Sequence, residues 1–157
     1  MIHPVKVEHV IPFIDATILT FQSMVHTEVK PGKIGLVQAA GSRFDVSGVI
    51  GLSGVAQGNV ALCFGRITAL KVVSAFVGIR VLALDDVVTD AVGELANIVA
   101  GAAKKDLTQF KIQISLPSVI LGENHELAGP KDILPMVVPF TCGLGNFNLV
   151  VRFKSEN

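Results

Sequence analysis

The sequence predicts an α+β fold, a mostly antiparallel sheet with long helices packed on one face. Three observations predict it. First, two segments alternate with the period of a half-buried strand: Ile112, Ile114 and Leu116 against Lys111, Gln113 and Ser115, and Phe147, Leu149, Val151 and Phe153 against Asn146, Asn148, Arg152 and Lys154. Second, three other segments repeat apolar residues at helical spacing. Third, a helix followed by three strands occurs in the first half and again after Asp85. This pseudo-repeat rests on the order of elements, not on identity.

The first helix is expected over residues 12–25, with Ile14, Ile18, Phe21 and Val25 on one face. Pro12 suits its first turn, where a missing N–H costs nothing. The "KPGK" at 30–33 reads as a turn. Strands are expected at 34–38, 44–52 and 58–64, the last two joined through "SGVAQ" as a hairpin. Residues 66–78 form a second helix, with Ile67, Leu70, Val73 and Val77 in line and Gly78 closing it. A third helix begins near Asp85 or Asp86, either of which can cap it, and continues to about Lys105. Three strands follow at 110–121, 133–141 and 146–154. A polar loop at 122–132 separates the first two, and "CGLG" turns the last hairpin. The 157 residues fit one domain.

Composition excludes several functions. Half the residues are apolar and 17% are charged, ample for a core and contrary to disorder. The formal net charge is zero, so no basic excess exists to hold a nucleic acid or an anionic membrane surface. "MIHPVKVEHV" lacks the apolar stretch and cleavage site of a signal peptide. The uncharged run at 46–65 holds five glycines, which suits two strands and a turn better than a membrane span. Cys63 and Cys142 sit in apolar strand-like segments and read as buried thiols in a reducing cytosol. The expected location is therefore cytoplasmic.

"DAVGELANIVAGAAKK", residues 90–105, carries the functional signal. At about 100° per residue, Val88, Val92, Leu95, Ile98, Val99 and Ala102 form an apolar stripe. Asp90, Glu94, Asn97, Gly101 and Lys104 fall opposite. A solvated face would carry Lys, Arg, Glu and Gln. This helix instead keeps Gly93 and Gly101, each costing about 1 kcal/mol against alanine, and an Asn that competes for backbone hydrogen bonds. Such a face admits another molecule at close range. A carboxamide offers one acceptor and two donors in a plane, enough to hold a water at a set angle. A carboxylate beside it can pair with a partner's cation and set the register of docking. In-line attack on phosphorus is mainly a matter of positioning of this kind.

"DAVGELANIVAGAAKKDL" resembles the signature helix of the CheC/CheX/FliY phosphatases of bacterial chemotaxis, in which an acid is followed three positions on by an Asn and then by a run of small residues. "PFIDATILTFQSM", "ISLPSVILG" and "NFNLVVRFK" also resemble CheX-like members, so the likeness covers nearly the whole chain. The resemblance implies a hydrolase acting on the phospho-aspartate of a CheY-like response regulator in two-component signalling. In it Asn97 orients the attacking water and Glu94 pairs with the regulator's active-site lysine, with no covalent enzyme intermediate. It implies no cofactor of the chain's own; Mg²⁺ belongs to the partner regulator. It also implies a homodimer and a single CheX-like domain over 1–157. CheC-like members carry a second acid–Asn pair on the first helix. Here Asp15 is followed at the Asn position by Ile18, which cannot orient water, so the CheX type is favoured.

Asp90, Gly101 and Lys104 are the expected partner-binding positions. Asp90 also favours the positive N-terminus of the helix, and Lys104 with Lys105 its C-terminus. A non-catalytic module that binds a regulator, or a dimeric scaffold, is the competing expectation. A small-molecule enzyme is disfavoured, since no nucleophile, base or cofactor motif emerges. His3, His9, His26 and His125 lack metal-ligand spacing and read as structural, so no metal site is expected.

Overall fold

The computed structural model describes residues 5–35, 44–129 and 131–155. Its elements are α1 (Val7–Thr20), β1 (Val29–Pro31), β2 (Phe44–Ser53), β3 (Ala56–Phe64), α2 (Arg66–Val77), α3 (Asp86–Lys104), β4 (Gln113–Ile114), β5 (Ser118–His125), β6 (Met136–Cys142) and β7 (Phe147–Ser155). A π-helical turn at Phe21–Val25 continues α1, and a 3₁₀ turn at Thr108–Phe110 follows α3. All strand pairs are antiparallel, in the order β1-β6-β7-β3-β2, with β4 and β5 both along the outer side of β2. The α+β class is as expected.

The pseudo-repeat becomes a swap of edges. The centre of the sheet is β3 against β7, paired from Ala56↔Ser155 to Phe64↔Phe147. Outside it, β1 of the first half pairs with β6 of the second, while β4 and β5 of the second half pair with β2 of the first. Four strands follow α3, one more than expected, because the predicted strand at 110–121 is two. Lys111 is left-handed at φ 48°, and Pro117 cannot donate to a ladder. The predicted apolar face breaks with it: Ile112 is buried but Leu116 is 87% exposed. The polar loop predicted from 122 starts later, because β5 runs on to His125. Asp45 Oδ1 accepts the Asn124 N–H at 3.1 Å and Ser47 Oγ bonds His125 Nε2 at 2.8 Å, tertiary contacts that no periodicity encodes.

Three N-terminal expectations also shift. The first helix starts at Val7, five residues before the expected 12, so Pro12 stands inside it. The proline forfeits one bond, to the carbonyl of exposed Glu8, while burial of Val5, His9 and Val10 holds the turn before it. Of the expected turn at 30–33, Lys30 and Pro31 belong to β1, where an edge strand tolerates the proline, and Gly32 N donates to Pro139 O at 2.6 Å. Of the expected strand at 34–38, Gly35 makes an isolated bridge to Val137, and residues 36–38 lie outside the described ones.

The helices cover one face, and a core containing Val10, Phe13, Leu62, Val72, Val92, Leu95 and Leu149 lies between them and the sheet. Phe21 and Phe140 stack on Phe147 at centroid distances of 4.6 and 5.1 Å. The expected wet face of the last strand is instead largely closed. Val150 and Arg152 are buried there, beside a second cluster of Phe44, Ala61, Cys63 and Val137 on which Leu127 packs. The segment after β5 folds back over this side, which alternation within one strand cannot reveal. Helix α2 takes its cap from a distant strand: its N-cap Gly65 has no side chain, and Asp45 Oδ2 accepts the Arg66 N–H at 2.7 Å. It ends where Gly78 turns left-handed at φ 78°.

Candidate functional site on the outer face of α3

Helix α3 begins where Asp85 Oδ1 accepts the Val87 N–H at 3.1 Å, so Asp85, not Asp86, is the cap. Its inward stripe is closed: Val88, Val92, Leu95, Val99 and Ala103 are all fully buried. At about 1.5–3 kcal/mol for each large aliphatic side chain removed from water, this stripe fixes which side the helix shows to solvent. Ile98 and Ala102, placed on the stripe by periodicity, lie at its margin, half-buried.

The outward side carries the five expected residues together. Asp90, Glu94 and Lys104 are exposed, and Asn97 and Gly101 are half-buried. Among the described residues, no hydrogen bond or ion pair restrains the Glu94 carboxylate or the Asn97 carboxamide. Both are therefore solvated and available. At a rise of about 1.5 Å per residue, Asp90 lies roughly 6 Å along the axis from Glu94, and Lys104 roughly 10 Å from Asn97. Glu94 and Asn97 can reach one small group together. Lys104 can only touch the surroundings.

The two glycines do different things. A Cβ on Gly101 would find nothing within 4 Å, so that position is open to an incoming surface. Gly93 faces inward and is buried; its Cβ would lie 3.3 Å from Val119 Cγ2 and 3.4 Å from Pro117 Cβ. Its smallness therefore serves the packing of β5, not the outer face. The sequence reading passed over Gly48 on β2, on which α3 rests. A glycine inside a strand pattern, flanked by Val46 and Ile50 on the same face and marking close approach of another backbone, is the available signal.

Clefts of about 430 and 460 Å³ occur elsewhere, one lined by Asp45, Arg66, Leu84 and Glu123 and the other by Ile67, Leu70, Leu82 and Leu144. Glu94 and Asn97 line neither. On α1, Asp15 is exposed while Ile18 packs against the core. His9 is buried between Phe110 and Phe153, and burial lowers its pKa. His125 is held by Ser47 and the Gly122 carbonyl. His3 lies outside the described residues. Among those described, no three His, Cys, Asp or Glu side chains could hold a metal ion. Cys63 is a buried free thiol, pushed up to about 12 by burial. Cys142, expected to be buried, is half-buried at the strand end and donates to Gly145 O at 3.1 Å. Among the described residues no helix is long and apolar enough to cross a membrane.

Residues 46–141 match the family model described as chemotaxis phosphatase CheX. The chain is 33% identical over 111 residues to the CheY-P phosphatase CheX of Thermotoga maritima, spanning 69% of this chain and 72% of that protein. The crystal structure of the chemotaxis protein CheX from Vibrio vulnificus superposes with a TM-score of 0.87 at 31% identity, covering 94% of this chain and 99% of that one. The CheX in the CheX–CheY–BeF3–Mg²⁺ complex from Borrelia burgdorferi superposes with a TM-score of 0.82 at 27% identity, covering 96% and 100%.

Proposed function

The chain belongs to the chemotaxis phosphatase CheX family, and from that premise we propose that it hydrolyses the phospho-aspartate of a CheY-like response regulator. In this reading Asn97 orients the attacking water and Glu94 pairs with the regulator's active-site lysine. The observation that carries it is the outer face of α3. A carboxylate and a carboxamide, three residues apart and unrestrained among the described residues, stand on a helix whose other side is fully buried. A carboxylate exposed on a convex helix face suits entry into a partner's cleft better than capture of a small molecule, which favours concave sites.

The chemistry asked of this chain is modest. The carboxamide accepts one hydrogen bond from the water and donates one to the phosphoryl group, holding the water in line with the scissile bond. It exchanges no proton, so no general base is needed from this helix. Glu94 contributes by fixing the register of docking. In this reading Mg²⁺ belongs to the regulator and would offset charge on the phosphoryl oxygens; the Borrelia burgdorferi complex, which holds CheY and Mg²⁺ together, supports it. Asp90 and Lys104 frame the contact, and Gly101 leaves room for it. The same reading takes residues 1–157 as one CheX-like domain, acting in the cytoplasm as a homodimer.

The deciding measurement is the decay of a radiolabelled, phosphorylated CheY-type regulator with wild type, Asn97→Ala and Glu94→Ala. Wild type should accelerate the decay. Asn97→Ala should lose about two to three decades of that rate while remaining folded and bound. Binding without acceleration by wild type would replace the enzyme with a regulator-binding module.

A further inference from the structure

Resting on the phosphatase reading, we infer that Gly48 and Gly93 are positioning residues for Glu94 and Asn97: together they form a seat that sets the height and roll of α3 on the sheet. Gly48 lies on β2 between Val46 and Ile50, both fully buried on the helix side. A Cβ there would stand 2.9 Å from the Val92 carbonyl oxygen, 3.0 Å from Val92 Cγ1 and 3.2 Å from Ala96 Cβ. The nearest of these atoms is helix backbone, which cannot rotate away as a side chain can. Beside Gly48 in the sheet is Val119 of β5, its register partner. Val119 is the residue that Gly93 of the helix comes down upon, at 3.3 Å from a built Cβ.

The turn from Val92 to Ala96 therefore straddles β2 and β5 through two missing side chains, one on the sheet and one on the helix. Glu94 lies about 180° around the axis from Val92 and Ala96, and half-buried Asn97 lies one turn beyond Gly93 at the edge of the seat. A methyl group at Gly48 must lift α3 by about half an ångström to regain ordinary contact with Val92 O. A methyl at Gly93 meets only side chains, 3.3 Å from Val119 Cγ2 and 3.4 Å from Pro117 Cβ, which can give way; a leucine side chain there has no such room and rolls the helix instead. Either displacement is carried outward to the two groups that must meet a phosphoryl group. Gly101 is the contrast: open space surrounds it, so its smallness has no part in the seat.

The test is kcat and KM toward a phosphorylated CheY-type regulator for wild type, Gly48→Ala, Gly93→Leu and Val150→Ala. Val150 is fully buried on the opposite face of the sheet, so its truncation weakens the fold without touching the seat. All are assayed well below their own Tm. Both glycine variants should lose about tenfold or more in kcat with a smaller change in KM, as a misplaced catalytic geometry predicts. Val150→Ala should keep the wild-type kcat. Gly93→Leu carries the argument if Gly48→Ala fails to fold, because leucine is the better helix former and the contacts it meets are side chains of half-buried Val119 and exposed Pro117. Wild-type kcat in a folded Gly48→Ala or a folded Gly93→Leu, or an equal loss in Val150→Ala, overturns the inference. Absence of turnover in the wild type instead overturns the phosphatase reading, and the inference falls with it.

Discussion

Acidification should destabilise this protein partly through His9, and by an amount that can be bounded. The ring is buried on α1, edge-on to Phe110 at 4.9 Å between centroids and tilted against Phe153 at 5.0 Å. Desolvation is the larger cause of its lowered pKa; Glu8 opposes it and Lys6 adds to it. The folded state thus holds His9 neutral at a pH where the unfolded chain, with the ordinary value of 6.5, already binds a proton. Stability is complete above that value and falls as pH drops through it, until the folded pKa is reached. With one proton involved, the loss at pH 5.5 relative to pH 7.5 is at most about 1.4 kcal/mol. Urea unfolding of wild type and His9→Gln at both pH values measures it. The other histidines and the carboxylates contribute to both proteins and cancel in the difference. The wild type should lose more stability than the variant on acidification, by up to that bound. Equal losses, or a larger loss in His9→Gln, would refute the argument that the buried ring resists protonation.

Asp45 should matter more than an ordinary strand-end carboxylate, because it accepts from the backbone N–H groups of both Arg66 and Asn124. Asp45→Ala should cost about 1–3 kcal/mol in urea unfolding, and Asp45→Asn, which retains an acceptor oxygen, distinctly less. Gly101→Leu should leave folding intact or raise stability by up to about 1 kcal/mol, since the position is helical and open. If the regulator covers that face, the same variant should raise KM by about tenfold, equivalent to roughly 1.4 kcal/mol of lost docking. Unchanged KM would move the contact off Gly101.

The parts of the fold legible in the sequence were those with a long, uninterrupted period. Helices α2 and α3 and strands β2, β3 and β7 appear within a few residues of where periodicity puts them, because a buried stripe constrains every third or second residue over ten or so positions. The stretch from 110 to 125 was misread for the opposite reason. Alternation at Ile112 and Ile114 was extended through Leu116, but Pro117 breaks the ladder, and what holds the strand beyond it is Asp45 and Ser47, some eighty residues away in sequence. The closed far face of the sheet was hidden in the same way, since Leu127 reaches it from a segment that reads as a polar loop. On the candidate site, the outward grouping of Asp90, Glu94, Asn97, Gly101 and Lys104 followed from helical geometry alone. The roles of the glycines did not: Gly93 and Gly101 look alike in sequence and differ only in what lies opposite each.

The exchange of edge strands between the two halves has a consequence for biosynthesis. Strand β7 follows all the other described strands along the chain, yet it sits in the middle of the sheet, between β3 and β6. A nascent chain that has emerged only through α3 can form the β2–β3 hairpin, but β3 has no neighbour on its other side and β1 has none at all. Sheet closure must wait for residues far along the template, and until then the edge of Ala56–Phe64 that β7 will occupy has no strand to pair with. The middle of this sheet is therefore the last part of it to be completed as the described strands are synthesised, and its first hairpin carries an open edge until then.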